Sequence, residues 1–307
     1  MSETQTPSNQ REFVALDADA SENASGCSPL AVHSFGLTDC GKVRSTNEDH
    51  FLIAVLLKSL QIQQTSLSQQ NKHQSSDKSY LFVVADGMGG RAGGEVASAL
   101  AIDSVESFVL ESLKWFAQCK GDEQDRVLAD FQRAVGEAGS RVQSEAAKRP
   151  GLDGMGTTLT LAYSLNDELF VAHAGDSRCY LCRNGALHRL TRDHTLVSEL
   201  VRRGGISADE AKHHKLRHII TNVLGGGCPE VEVELHKLQL EAGDVVLLCS
   251  DGLTEMLSDE RIGNILAGET DPENACRRLI AAANDQGGRD NITAVVAHFG
   301  DAGEEIL

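Results

Sequence analysis

Acidic residues recur in this chain where apolar runs begin or end. In LFVVADGMGG (81–90) five apolar residues lead straight to Asp86, and glycine-rich backbone follows. DVVLLCSDGL (244–253) repeats the pattern at Asp251, and LFVAHAGDSR (169–178) reaches Asp176. Two segments show the mirror arrangement. RSTNEDHFLI (44–53) puts Glu48 and Asp49 ahead of an apolar run, and GGRDNITAVV (287–296) does so with Asp290. One Asp-Gly after a strand is an ordinary turn. Several such junctions, with their strands in register at one sheet edge, would gather carboxylates at a single point.

Crowded carboxylates repel one another and their pKa values rise. Hard divalent cations remove that conflict, and Mg²⁺ and Mn²⁺ take oxygen ligands while keeping several waters. Gly87 then has a reason, because without a side chain its own carbonyl can turn inward as a ligand. The chemistry such a site suits is metal-assisted hydrolysis of a phosphate ester. Two cations close together acidify a water and hold the phosphoryl group in line.

Apolar runs and alternation predict strands at 31–36, 51–57, 80–85, 157–164, 168–174, 178–183, 187–190, 231–235, 244–249 and 292–299. A helix is predicted over 94–117, with Ile102, Val105, Val109, Leu113 and Phe116 on one face. A second is predicted over 123–148, with Leu128, Phe131, Val135, Ala138 and Val142 aligned, and Pro150 ends it. A third, 271–286, stops at Gly287-Gly288. This order predicts an α+β fold, with sheets packed on each other and helices outside. Residues 194–224 have weak strand character and read as an excursion from the sheet. Residues 1–28 read as a disordered polar tail, and about 58–79 as a polar loop insertion. A single catalytic domain is expected over 29–300, with a short tail at 301–307.

With Lys+Arg 28 against Asp+Glu 45, the net charge of −17 argues against nucleic acid or an anionic membrane as partner. No apolar run is long enough to span a bilayer, and the start MSETQTPSNQREF lacks the pattern of a secretory signal. The expected location is the cytoplasm. Of eight cysteines, only Cys179 and Cys182 have zinc-like spacing. They sit on a predicted strand, where i and i+3 face opposite ways, so they are read as thiols of a reducing compartment. GLTDCGKV (36–43) nearly spells a phosphate-binding loop, but Val43 stands where a hydroxyl is needed and no helix follows. His213-His214 is read as solvated, and GGRAGGE (89–95) as a tight turn.

RSTNED, VVADGMGG, GTTLT, AGDSR, LTRDH, SDGL and GGRDNIT stand in the order and approximate spacing of the metal-dependent protein phosphatases of type 2C. Over roughly residues 31–299 the chain resembles the bacterial Ser/Thr-specific members of that family. The resemblance implies a central β-sandwich of two mostly antiparallel sheets with helices on both faces. It implies a phosphoserine/phosphothreonine phosphatase using two Mn²⁺ or Mg²⁺ ions, with a third, weaker ion. Asp86 would bridge the two ions, the Gly87 carbonyl would join one, and Asp251 and Asp290 would complete that ion's shell. Glu48 would hold the second ion's waters, Asp49 would orient ligands or water, and Arg44 would bind the substrate phosphate. Asp176 would serve the third ion with Asp251, with Glu255 nearby. The 194–224 excursion matches the family's flap, where substrate selection is expected.

The partners implied are phosphorylated proteins, a Ser/Thr kinase and its substrates, and the working unit a monomer. One departure stands out. Where many eukaryotic members carry a histidine, a candidate general acid, this chain has Met88. Methionine donates no proton, so the leaving group must take one from water or another residue. Two alternatives are a catalytically weak relative that binds phosphoproteins and a phosphatase of small phosphate esters. Asp86, Asp251 and Asp290 are all present, which favours activity.

Overall fold

The computed structural model describes residues 30–59, 74–89, 93–112, 122–228 and 230–301. The predicted 1–28 tail, most of the 58–79 insertion, Leu113 and Phe116 of the first helix and most of the short C-terminal tail lie outside these residues.

Strands β1 (Ala31–Asp39), β2 (Asp49–Ser59), β3 (Gln74–Met88), β4 (Gly156–Thr157), β5 (Leu159–Leu165) and β6 (Glu168–Ala174) come first, interrupted by helices α1 (Gly93–Ser112) and α2 (Asp122–Lys148). After them come β7 (Arg178–Arg183), β8 (Ala186–Arg189), α3 (Leu196–Arg202), α4 (Ala208–Lys212), β9 (Leu224–Gly225), β10 (Glu234–Gln239) and β11 (Val245–Cys249). Helices α5 (Asp251–Thr254), α6 (Asp259–Ala267) and α7 (Pro272–Asp285) precede β12 (Ile292–Gly300). One sheet has the order β1-β12-β11-β7-β8. The other runs β10-β6-β5-β3-β4-β9, with β2 also on β3. The strand pairings are antiparallel.

Alternation along the strands builds the layers. Leu81, Val83 and Ala85 of β3 face α1 and α2, meeting Val105, Phe131, Val135 and Ala138. The intervening Phe82 and Val84 face the other sheet and meet Leu181, Leu248 and Val295. On the far side Leu247, Cys249 and Val296 pack under Ile262, Ile265 and Leu279 of α6 and α7. Burying each such side chain contributes roughly 1.5–3 kcal/mol, which is why a run with no polar face is stable here. The result is the expected helix–sheet–sheet–helix stack. Cys179 lies in the inter-sheet core and Cys182 in the core under α6 and α7, on opposite faces of β7 as the strand reading required.

Local signals behave as their chemistry dictates. Asn184 and Gly185, both with positive φ (52° and 76°), make the tight turn between β7 and β8. Pro150 forces Arg149 into an extended conformation (φ −126°, ψ 100°) and so stops α2. Asp271 caps α7 by accepting from the Asn274 N–H, with Pro272 in the first turn.

Several elements differ from expectation. The strand predicted at 231–235 lies at Glu234–Gln239. The strand predicted over 157–164 is broken at Thr158, and the two-residue β4 pairs with Gly87-Met88 while β5 continues the sheet. Helices α5 and α6 are additional, and the described ends of the 58–79 segment are strand, β2 running to Ser59 and β3 starting at Gln74.

Candidate metal centre

The sheet register brings the acids together. Asp49, the first residue of β2, is the direct partner of Asp86, near the end of β3. Asp176 follows β6, Asp251 follows β11, and Asp290 precedes β12, at the same end of the two sheets. The segments approach so closely that glycine is obligatory at two points. A Cβ on Gly87 would lie 2.1 Å from the Gly94 carbonyl oxygen and 2.7 Å from that of Glu48. A Cβ on Gly252 would lie 2.0 Å from the Asn291 oxygen. Both Asp-Gly pairs are therefore demanded by backbone contact, and Gly252 locks Asp251 against the Asp290-Asn291 pair.

Hydrogen bonds fix the frame. Asp49 Oδ2 accepts from the Ser250 and Thr293 hydroxyls, each at 2.7 Å. The Asp86 N–H donates to Thr158 Oγ1 at 3.0 Å, and the Asp86 carbonyl accepts from the Thr158 N–H at 2.9 Å and the Thr157 hydroxyl at 2.8 Å. This double bond pattern is why Thr158 leaves the sheet ladder. The Gly87 N–H donates to the Glu48 carbonyl at 3.2 Å. Asn291 accepts from the Glu48 N–H at 2.9 Å and donates to the carbonyls of Cys40 and Thr46. One buried amide thus ties Glu48, the loop bearing Arg44 and the Asp290 turn into one unit. The sequence reading missed Asn291, Ser250, Thr293 and Thr158; their signal was position beside the acids within the same short segments.

The electrostatics are those of a cage of like charge. Burial raises the Asp86 carboxyl well above its usual range, and Asp49, Asp251, Asp176 and Asp290 push it further. Asp251 is raised by burial and then by Asp176, Asp290, Glu255 and Asp49. Burial raises Asp49 to about 6 against the opposing hydroxyl bonds, and burial with Asp193 raises Asp176 to about 7. Glu48 is raised by burial, partly offset by Arg44. Asp49 Oδ1 and Asp176 Oδ1 are buried and have no hydrogen-bond partner among the described residues. Buried polar oxygens left in that condition are costly. An oxygen-only donor set with excess negative charge and two unpaired buried oxygens fits hard divalent cations.

Arg44 is the cation at this rim. Its Nη2 donates to Asp290 Oδ2 at 2.7 Å, and half of the side chain is exposed. Met88, 37% exposed, lies at the opening beside Gly87. Glu255 Oε1 lies 2.9 Å from Nδ1 of His218, on the segment following α4. All eight residues singled out from the sequence thus fall in one region, together with the unanticipated His218.

A four-layer fold with a carboxylate pocket at one end of its sandwich defines a class of metal-using hydrolases. Residues 61–296 match the protein phosphatase 2C family. The chain is 32% identical to a serine/threonine phosphatase, stp, of Listeria innocua over 265 residues, covering 86% of this chain and 95% of that protein. It is 41% identical over 222 residues to the serine/threonine protein phosphatase PstP of Mycobacterium tuberculosis, covering 72% of this chain and 40% of PstP. The crystal structure of the PstP catalytic domain in complex with two manganese ions is similar, with a TM-score of 0.68 and 35% identity, covering 89% of this chain and all of that one. This chain belongs to the protein phosphatase 2C family.

Proposed function

We propose that this chain is a Mn²⁺- or Mg²⁺-dependent protein serine/threonine phosphatase, hydrolysing phosphoserine and phosphothreonine in one step without a phosphoenzyme. The observation that carries the reading is the convergence of Glu48, Asp49, Asp86, Asp176, Asp251 and Asp290, with two buried oxygens unpaired, in the fold of this family. Asp86, the Gly87 carbonyl, Asp251 and Asp290 would hold one ion, with Asp86 shared by a second beside Glu48. Asp176, with Asp251, would hold a third and weaker one. When bound, the ions supply Lewis acidity that lowers the pKa of water and offsets charge on the attacked phosphoryl group.

The chain's own groups do the rest. The Arg44 guanidinium offers a planar fork of donors to the phosphate, and swings from Asp290 to do so. Asp49, held by Ser250 and Thr293, orients the groups opposite Asp86. Water attacks phosphorus, the P–O bond to the Ser or Thr oxygen breaks, and that oxygen takes its proton from water or from a residue other than Met88, which has none to give. The catalytic domain is taken as 29–300 with 194–224 as the flap. One chain supplies every group named, which supports a monomer as the working unit. A Ser/Thr kinase must supply its substrates. The described cysteines are free, which supports a reducing compartment, the cytoplasm; no described helix is long and apolar enough to cross a membrane.

Hydrolysis of a phosphothreonine peptide and of p-nitrophenyl phosphate, with Mn²⁺, Mg²⁺, Ca²⁺ or chelator, tests this. Cleavage of the peptide in Mn²⁺ and silence in chelator are expected. Undiminished hydrolysis in EDTA would overturn the metal reading. Hydrolysis of p-nitrophenyl phosphate alone would favour small esters as substrates, and binding without turnover would favour a phosphoprotein-binding module.

A further inference from the structure

His173, His194 and Glu234 bring ligand-type atoms within 4.8 Å of one another, yet the hydrogen bonds there leave no ring nitrogen of His173 or His194 free for a metal. His173 Nε2 faces the carbonyls of Gly175 (3.1 Å) and Arg192 (3.0 Å), so it carries the proton, while Nδ1 accepts from the Thr160 hydroxyl at 2.9 Å. His194 Nδ1 faces two donors, the Gly175 N–H at 3.2 Å and the Asn222 amide at 2.8 Å. Nδ1 must therefore accept, and the proton sits on Nε2, which donates to Glu234 Oε2 at 3.1 Å. Burial opposes the charged form of Glu234, but hydrogen bonds from His194 and His236 outweigh it and hold the carboxyl below its usual range.

The place of this network in the chain gives it meaning. The excursion carrying α3 and α4 leaves the fold at His194 and returns at Thr221-Asn222. The His194 N–H donates to the Gly175 carbonyl at 2.7 Å, and the His194 carbonyl accepts from the Thr221 N–H at 2.8 Å and hydroxyl at 3.0 Å. Thr195 bridges Ile220 just beyond. Both ends of the excursion thus meet on one residue. That residue also grips Gly175, next to Asp176, from both its N–H and its carbonyl side. Gly175 has φ +123°, and a Cβ there would lie 2.5 Å from the Thr158 side chain, so only glycine fits this turn.

We propose that His194 is a positioning residue which clamps both ends of the 194–222 excursion to the Gly175-Asp176 turn, so that phosphopeptide seating and the placement of Asp176 are set together. This rests on the phosphatase reading of the pocket. Among the described residues the far side of the excursion reaches the rim through the His218–Glu255 contact, while the neck joins both of its ends to the sheet.

Two substitutions separate the functions of the ring. His194→Asn keeps an acceptor near Nδ1 for Gly175 and Asn222 and loses the bond to Glu234. His194→Gln reaches toward Glu234 and loses that acceptor. In His194→Gln, trypsin should cut at Arg202, Arg203, Lys212, Lys215 or Arg217 about tenfold faster than in the wild type, since two neck hydrogen bonds are gone. The KM for a phosphothreonine peptide should rise about tenfold, and more than the KM for p-nitrophenyl phosphate. His194→Asn should recover most of both. Asn222→Ala, which removes the returning end's bond to the ring together with the Asn222 bonds to the Glu232 backbone, should speed the same cleavages and serves if His194→Gln does not fold. Equal behaviour of the Asn and Gln variants would overturn the clamp, as would proportional loss on both substrates with a lowered unfolding midpoint. Proteolysis reads the clamp whether or not any phosphate is hydrolysed, so failure of the phosphatase reading stays distinguishable.

Discussion

Gly87→Ala is the sharpest perturbation this site offers. The added methyl would stand 2.1 Å from the Gly94 oxygen, where ordinary contact begins at 3.4 Å, and 2.7 Å from the Glu48 oxygen. Both obstacles are backbone, so no side-chain rotation relieves them. The start of α1 or the start of β2 must move by roughly 1.3 Å, at a cost near the top of the overpacking range, about 3 kcal/mol. For a domain of this size that lowers the melting temperature by roughly 6–12 °C. Because Glu48 immediately precedes β2, and Asp49 at its start pairs directly with Asp86, a shift of about 1 Å should also cut turnover about a hundredfold. Gly136→Ala is the control: it lies inside α2 with nothing within 4 Å of the new methyl, and should stabilise by about 1 kcal/mol. Urea unfolding of both variants, with Mn²⁺-dependent kinetics, settles the matter. A Gly87→Ala protein with the wild-type midpoint and turnover would refute the close-approach argument.

Asp86→Asn and Asp251→Asn should nearly abolish hydrolysis even in excess Mn²⁺, and a variant of either with normal turnover would remove that residue from the metal site. Arg44→Ala should raise KM with a smaller effect on kcat, and a loss confined to kcat would contradict its phosphate-binding role. Chelated protein carries the full repulsion of the acids, so Asp176→Asn should be more stable than the wild type in EDTA by on the order of 1 kcal/mol or more. The folded Asp176 carboxyl is raised to about 7 by burial and Asp193, while the unfolded value is near 4. The gain should thus be complete above pH 7, shrink as pH falls, and vanish below about 4. A gain that grew on acidification would show the sign to be wrong. Manganese at about a hundred times its Kd should stabilise the wild type by about 2.7 kcal/mol, and an unchanged melt would count against metal binding.

Much of the fold could be read because its strands are buried on both sides: LFVVA at 81–85 and VVLLC at 245–249 admit no solvent-facing alternative. The misplaced β10 shows the limit of that signal. Val231 and Val233 alternate like a strand and pack on the core, yet backbone pairing with β6 begins only at Glu234, opposite His173. Helix α6 escaped notice because nine residues hold only Ile262, Ile265 and Leu266 at helical spacing. The acids were legible because chain position, at strand ends, already implied convergence. The His194 network was not, since Gly175, Asn222 and Glu234 lie 19, 28 and 40 residues from it and only the folded chain makes them neighbours.

The long β2–β3 ribbon has a practical corollary. Its pairing runs unbroken from Asp49 opposite Asp86 to Leu57 opposite Lys78, and resumes at Ser59 opposite Gln74. At the usual rise per residue, the outer end stands about 40 Å from the acids. Cargo spliced there, such as a fluorescent protein or an immobilisation tag, would be too distant to crowd the pocket, giving experimenters a handle on the enzyme that leaves its working end untouched.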